Sequence, residues 1–208
     1  MKFAAIIPDR NDRTELTQFC LKQLSRMTLQ PDRIYHINYT PKGEGFDLID
    51  RVTDGVFRAA KDGMDWCFVC ENDDYYPANY FDRFTPYLDK YDFIGDDHTT
   101  YYNLINRTFS TFDHGFRATL FTTAFRISSL NLFEWPADGP NLDIHLWKYA
   151  RHRKRKFIES GTVGIKTGIG LCGGNGHHRK LRTPDPDMEW LKARVDGEAY
   201  NFYKSIKL

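Results

Sequence analysis

The chain has little of what would mark it as a special case. Its 208 residues include only four cysteines, Cys20, Cys67, Cys70 and Cys172, too few for the disulfide framework of a small secreted scaffold. The Cys67-x-x-Cys70 spacing suggests a metal knuckle. However, Trp66 to Cys70 reads as a buried strand, where positions three apart point to opposite faces and cannot grip one ion. No second pair of this kind follows, so the thiols are expected to be buried and apolar, in a reducing compartment. No apolar run approaches the ~18 residues of a spanning helix, and Phe3 to Ile7 is too short for a signal-peptide core. Neither sign of charge prevails: 29 Lys+Arg stand against 28 Asp+Glu, giving a net charge of +1. That balance excludes a globally basic nucleic-acid binder and an acidic disordered tail, and leaves room for local patches. With no internal repeat and no low-complexity linker, residues 1–208 are expected to form one cytoplasmic domain.

The residues that are present point to a folded α/β chain, 41% apolar and 15% aromatic. Phe3 to Ile7 is a short apolar run, as in a strand covered on both faces, and Pro8 to Asp12 end it. Leu16, Phe19, Cys20, Leu24 and Met27 then recur at helical spacing. The pattern repeats with a strand over Arg33 to Tyr39, a loop over Pro41 to Gly45 and a helix through Phe46, Ile49, Val52, Val56 and Ala60. A third strand, Trp66 to Cys70, precedes a helix over Pro77 to Leu88 and a strand over Asp92 to Gly95. Such alternation requires right-handed parallel crossovers, and so a mostly parallel sheet flanked by helices. The stretches Tyr101 to Asp113 and Gly115 to Ile127, rich in Thr, Phe and Tyr, suggest antiparallel strands and make the sheet mixed. Leu142, Leu146 and Tyr149 mark a short helix, Thr162 to Ile169 a strand, and Met188, Leu191, Val195 and Phe202 a terminal helix.

Ligands in such folds sit beyond the carboxyl ends of the strands, which brings Asp9 and Arg10, Thr40, and Glu71 to Asp74 to one edge. Glu71, Asp73 and Asp74 place three carboxylates within four residues, and oxygens this close repel unless a cation joins them. Oxygen ligands suit Mg²⁺ or Mn²⁺, and a site with few protein ligands leaves positions for substrate phosphates. Arg151 to Lys156 is the most basic stretch, with Arg153 near its centre. It is read either as a solvated helix end or as a contact for an anionic ligand. His177 and His178 close the glycine-rich stretch Gly170 to Gly176.

Three segments in order, Ala5-Ile6-Ile7-Pro8-Asp9-Arg10-Asn11-Asp12-Arg13, Glu71-Asn72-Asp73-Asp74-Tyr75-Tyr76-Pro77 and Leu142-Asp143-Ile144-His145-Leu146-Trp147, resemble the GT-A glycosyltransferases, especially the large family 2 type. The resemblance spans roughly residues 3 to 178. It implies a Rossmann-like GT-A domain that moves a sugar from a nucleotide-sugar donor to an acceptor hydroxyl, with Mn²⁺ or Mg²⁺ and with inversion. By the same resemblance Pro8, Asp9, Arg10, Glu71, Asn72 and Asp73 would hold the donor; Arg153 is read, from the basic run alone, as a clamp on its diphosphate. Asp73, Asp74 and His177 would hold the metal, and Asp143 would be the catalytic base. The chain departs from the family pattern in carrying Glu71 for the usual first aspartate, Asp9-Arg10 for a Thr-Tyr type pair, and Asn38, Tyr39 and Thr40 where a paired aspartate is common. The donor's base is therefore left open. The acceptor is expected to bear a hydroxyl, with an anionic glycan, a lipid-linked group or a nucleic acid among the candidates. The competing readings are a nucleotidyltransferase, disfavoured because Pro8 to Arg13 holds no glycine, and a non-catalytic nucleotide-sugar or nucleic-acid binding module.

Overall fold

The computed structural model describes residues 1–41, 43, 45–137, 139–168 and 183–206. In chain order they form β1 (Phe3–Pro8), α1 (Thr14–Leu24), β2 (Arg33–Ile37), α2 (Leu48–Lys61), β3 (Trp66–Val69), α3 (Tyr80–Phe84), β4 (Phe93–Gly95), β5 (His98–Asn103) and β6 (Thr108–Asp113). There follow β7 (Ala124–Arg126), α4 (Leu142–Tyr149), β8 (Arg155–Phe157), β9 (Val163–Lys166), β10 (Thr183–Pro184), α5 (Glu189–Arg194) and α6 (Gly197–Ser205).

Six strands make one sheet in the order β2-β1-β3-β7-β4-β8. Pairing is parallel for β1 with β2 and β3 and for β4 with β8, and only β7 runs against its neighbours. Strand alternation sorts the core into two layers. Phe3, Ala5, Ile7, Trp66, Phe68 and Cys70 pack on one face with Cys20 and Leu24 of α1 and Phe81 of α3. Ala4, Ile6, Cys67 and Val69 pack on the other with Val52 and Val56 of α2 and Leu146 and Trp147 of α4. Cys67 and Cys70 thus lie on opposite faces of β3, as two free buried thiols. Burying each large apolar side chain contributes about 1.5–3 kcal/mol. Close approach is built in at Gly55, where an added Cβ would lie 2.5 Å from Ile6 Cγ2.

Four strands make a second sheet in the order β10-β6-β5-β9. The aromatic stretch expected to be antiparallel is its β5–β6 hairpin, with His98 opposite Asp113 and Asn103 opposite Thr108. This sheet is joined to the end of β3 by paired backbone bonds between Tyr75 and Val163, 3.0 and 3.2 Å long. The expected terminal helix is two helices, because Asp196 starts a new one by accepting from the amides of Glu198 and Ala199. The strand expected over Arg33 to Tyr39 ends at Ile37, and the helix expected from Pro77 contracts to α3 with one further turn of 3-10 helix. No helix among the described residues is long and apolar enough to cross a membrane.

Candidate active site

Glu71 to Asp74 leave the carboxyl end of β3 and are met, residue by residue, by one side of α1. Arg13 Nη1 donates to Asp73 Oδ2 at 2.6 Å, and Asn72 Nδ2 donates to Thr17 Oγ1 at 2.7 Å. Cys20 Sγ lies 3.9 Å from the Glu71 carbonyl, and Gln23 Nε2 donates to the Asp74 carbonyl at 3.1 Å. The steps of three and four residues between Arg13, Thr17, Cys20 and Gln23 put them in one row down the helix. The polar loop after β1 closes the other side. Asp9 Oδ1 accepts from Asn72 Nδ2 at 3.0 Å and from the Asn11 amide at 2.9 Å, and His36 Nε2 lies 2.8 Å from Asp9 Oδ2. Asp9, 2% exposed, spends both oxygens tying β1, β2 and β3 together. Arg10 reaches away to Asp47 Oδ1 and the Gly45 carbonyl, both at 2.8 Å, and so holds the loop before α2. Buried Arg51 of α2 completes that corner, donating to the carbonyls of Asp9, Ile37 and Tyr39. Pro8, buried at the end of β1, pairs with Ile37.

Lys166, the last residue of β9, enters the same place from the second sheet. Its ammonium lies 4.0 Å from Asp74 Oδ1, which also accepts from the Ile165 amide at 2.8 Å. Burial opposes the lysine's charge, but Asp74 and Asp73 outweigh it and raise its pKa. Asp74 is pushed far above the usual carboxylate range by burial, with Lys166 pulling the other way. Glu71 is pushed up to about 7, first by burial and then by Asp73, against the pull of Lys166. Arg13 Nε, Asn72 Oδ1 and Asp74 Oδ2 are buried without hydrogen-bond partners among the described residues.

Asp143 stands in the first turn of α4 and is paired with Arg117. Burial raises its pKa, while Arg117 and the amides of Asp143 and Ile144 hold it down. Its charge also raises Glu71, as the smallest of the influences on that group. A second titratable group lies nearby: ligand atoms of Asp97, His98 and Asp113 all fall within 4.8 Å of one another. His98 Nδ1 is 3.0 Å from Asp97 Oδ1, and its Nε2 is 3.7 Å from Asp113 Oδ2. Glu71, Asp73 and Asp74 form no such three-way group.

No family model and no curated protein matches the chain. Among solved structures, S. aureus TarS 1–349 in complex with UDP-GlcNAc superposes with a TM-score of 0.57 at 14% identity, covering 85% of this chain and 61% of that one. The complex of TarS 1–349 with UDP gives 0.54 at 13% identity over 79% and 60%. A197 from STIV gives 0.52 at 15% identity over 77% and 83%. The fold is GT-A-like. The chain spans about 61% of TarS 1–349, and identities this low carry the fold alone.

In that fold the structure brings Pro8, Asp9, Glu71, Asn72, Asp73 and Asp143 to one edge of the main sheet, with Arg10 beside them. It does not bring Arg153 there. β8 runs parallel to β4, so the residues before Arg155 lie at the amino ends of the strands, where the Lys154 carbonyl accepts from the amides of Asp92 and Phe93. Arg153 instead bonds Tyr149 Oη and lies 4.9 Å over its ring. Asp74 is also placed differently from the expectation. It is fully buried and turned to Ile165 and Lys166, because β9 supplies the amide and the cation it needs. His177 lies outside the described residues. Arg13, Gln23, Lys166 and Arg117 had no role in the sequence reading. The usable signal was a polar residue in apolar phase, since Gln23 falls on the buried side of α1 and Lys166 ends an apolar strand.

The donor set can be tested against a divalent cation. Asp74 is committed inward, and Arg13 takes one oxygen of Asp73. Glu71 and the other oxygen of Asp73 remain. One or two carboxylates plus substrate phosphates is how proteins commonly hold Mg²⁺, so these residues fit.

Proposed function

We propose that the chain is a glycosyltransferase that moves a sugar from a nucleotide-sugar donor to an acceptor hydroxyl, with inversion at the anomeric carbon. One observation supports this above the rest: α4 opens with Asp143, paired with Arg117, in a GT-A-like fold whose acidic run leaves the carboxyl end of β3. Glu71 and Asp73 would hold Mn²⁺ or Mg²⁺, which when bound supplies positive charge beside the donor's diphosphate. Asn72 and Arg10 hold the two loops between which the nucleotide lies, and Asp9 and Arg51 fix the frame. Asp143 takes the proton of the acceptor hydroxyl as its oxygen attacks from the face opposite the diphosphate. Its raised pKa suits that task, because a base is most effective when its pKa approaches the working pH. Arg117 keeps the carboxylate ionised and oriented until the acceptor arrives.

UDP-sugars are the first donors to try, since TarS holds UDP-GlcNAc. Thermal unfolding with a panel of nucleotide sugars, with and without Mn²⁺, tests the reading. A donor at 100 times its dissociation constant adds about 2.7 kcal/mol. Absence of any donor-induced shift, together with absence of donor hydrolysis, rejects it.

A further inference from the structure

Beyond the ends of β4 and β8 lies a cavity of about 330 Å³ lined by Asp96, Asp97, His98, Phe157, Ile158 and Glu159. That volume is at the lower end for small-molecule sites, about 300–1,000 Å³. Two contacts lead from it toward Asp143. Phe157 stacks on Trp147 with ring centroids 4.9 Å apart, and Trp147 is one helical turn after Asp143 on α4. Arg117, the partner of Asp143, also acts on His114, as do Asp97, Asp113 and His98. The walls divide by chemistry. Phe157 and Ile158, half-buried, are apolar, and the rest carries three carboxylates against one imidazole. Asp96 is fully engaged, accepting from the amide of His98 and from the amide and hydroxyl of Ser160. Glu159 is exposed, with no side-chain partner among the described residues, and Asp97 keeps an oxygen not used by His98. Neither neighbouring guanidinium lines the cavity: Arg83 bonds the Glu159 carbonyl and Asn79, and Arg155 bonds the Phe116 carbonyl.

From this we infer that the cavity is the acceptor subsite and that it takes a neutral or amino-bearing sugar ring, not an anionic one. The inference rests on the transferase reading for the word acceptor, while the charge preference rests on the cavity alone. The C–H face of a pyranose lies against Phe157, its hydroxyl or ammonium groups donate to Asp97 and Glu159, and a carboxylate or phosphate on the ring is repelled.

The test uses glucosamine, glucose and glucuronate as one ring in three charge states, with binding followed by saturation-transfer NMR on the whole chain. Glucosamine should bind most tightly and glucuronate least. Glu159→Lys, a surface change that leaves the core intact, should narrow or invert that order by about two- to fivefold, the effect of one exposed charge pair. Asp97→Asn should act in the same direction. Equal binding of all three, binding of none, an order unmoved by Glu159→Lys, or glucuronate binding that appears only with Mn²⁺ at the Asp97, His98 and Asp113 group would each overturn the inference. UDP-GlcNAc affinity measured in the same samples keeps the two ideas apart. Its absence from the parent would count against the transferase reading, not against the charge preference.

Discussion

The two ends of the parallel strands treat charge in opposite ways. At the carboxyl ends, cations enter singly from distant parts of the chain, Arg13 before α1, Lys166 from the second sheet and Arg117 from the loop after β6, and each faces a carboxylate. At the amino ends, several cations arrive together in Arg151 to Lys156, yet Arg153 rests on its own helix and Lys154 is exposed. Charge density along the chain is therefore a poor guide to charge density in space. Strand direction decides which end a residue reaches, and burial decides how much its charge matters.

The comparison breaks most sharply at Lys166. Replacing it with Met leaves Asp74, wholly buried, with a backbone amide and no cation. Leaving a buried polar group short of a partner costs about 1–3 kcal/mol, so Lys166→Met should lower the urea midpoint accordingly. Adding Asp74→Asn should recover a large part of the loss. A single variant as stable as the parent would show that the pair contributes nothing.

Asp143→Asn addresses the same edge through turnover. The amide keeps the shape of the helix start but accepts no proton, so turnover should fall about 10²-fold or more with donor affinity and melting temperature nearly unchanged. Near-normal turnover in a folded Asn variant would reject Asp143 as the base, and a product with retained configuration would reject direct displacement.

Much of this edge was legible in the residues. Apolar runs and helical spacing located β1, β3, α1 and α2, and strand direction then placed Asp9 and Glu71 to Asp74 together. What could not be read was which carboxylate turns inward. Asp74 is taken by β9, some ninety residues later in the chain, and no local pattern encodes a contact between two sheets. Arg153 lies at the opposite end for the complementary reason: the turn from α4 into β8 sets the end of the sheet it reaches, and composition says nothing about that turn.

His114 offers a smaller effect, visible as pH dependence. Burial first, and Arg117 second, depress its pKa from 6.5 to about 4. In the unfolded chain the imidazole takes up a proton as pH falls through 6.5, while the folded chain resists it. The stability is therefore fully present above about 6.5 and is lost as pH falls toward 4. A full shift of this size corresponds to about 1.4 kcal/mol per unit, and partial exposure reduces it to roughly 1–2 kcal/mol. His114→Gln should flatten the stability profile between these pH values. An unchanged slope would mean that the loss at low pH arises elsewhere.

The smallest effect is expected at the amino ends of the strands. Arg153 bonds Tyr149 Oη, lies over the same ring, and faces no carboxylate in a described ion pair. Arg153→Gln should therefore change stability by no more than about 0.5 kcal/mol. It should also leave donor affinity and its salt dependence within about twofold, because a charge at the far end of the strands is largely screened beyond ~8–10 Å. Calorimetric titration of UDP-GlcNAc at low and high salt measures both quantities on one sample. A large loss of affinity that disappears at high salt would place Arg153 against the diphosphate after all and would overturn the distinction between the two ends. A flat result, set beside a strong effect of Arg13→Gln at the carboxyl ends, would show that position in the sheet outweighs the number of neighbouring positive charges in the sequence.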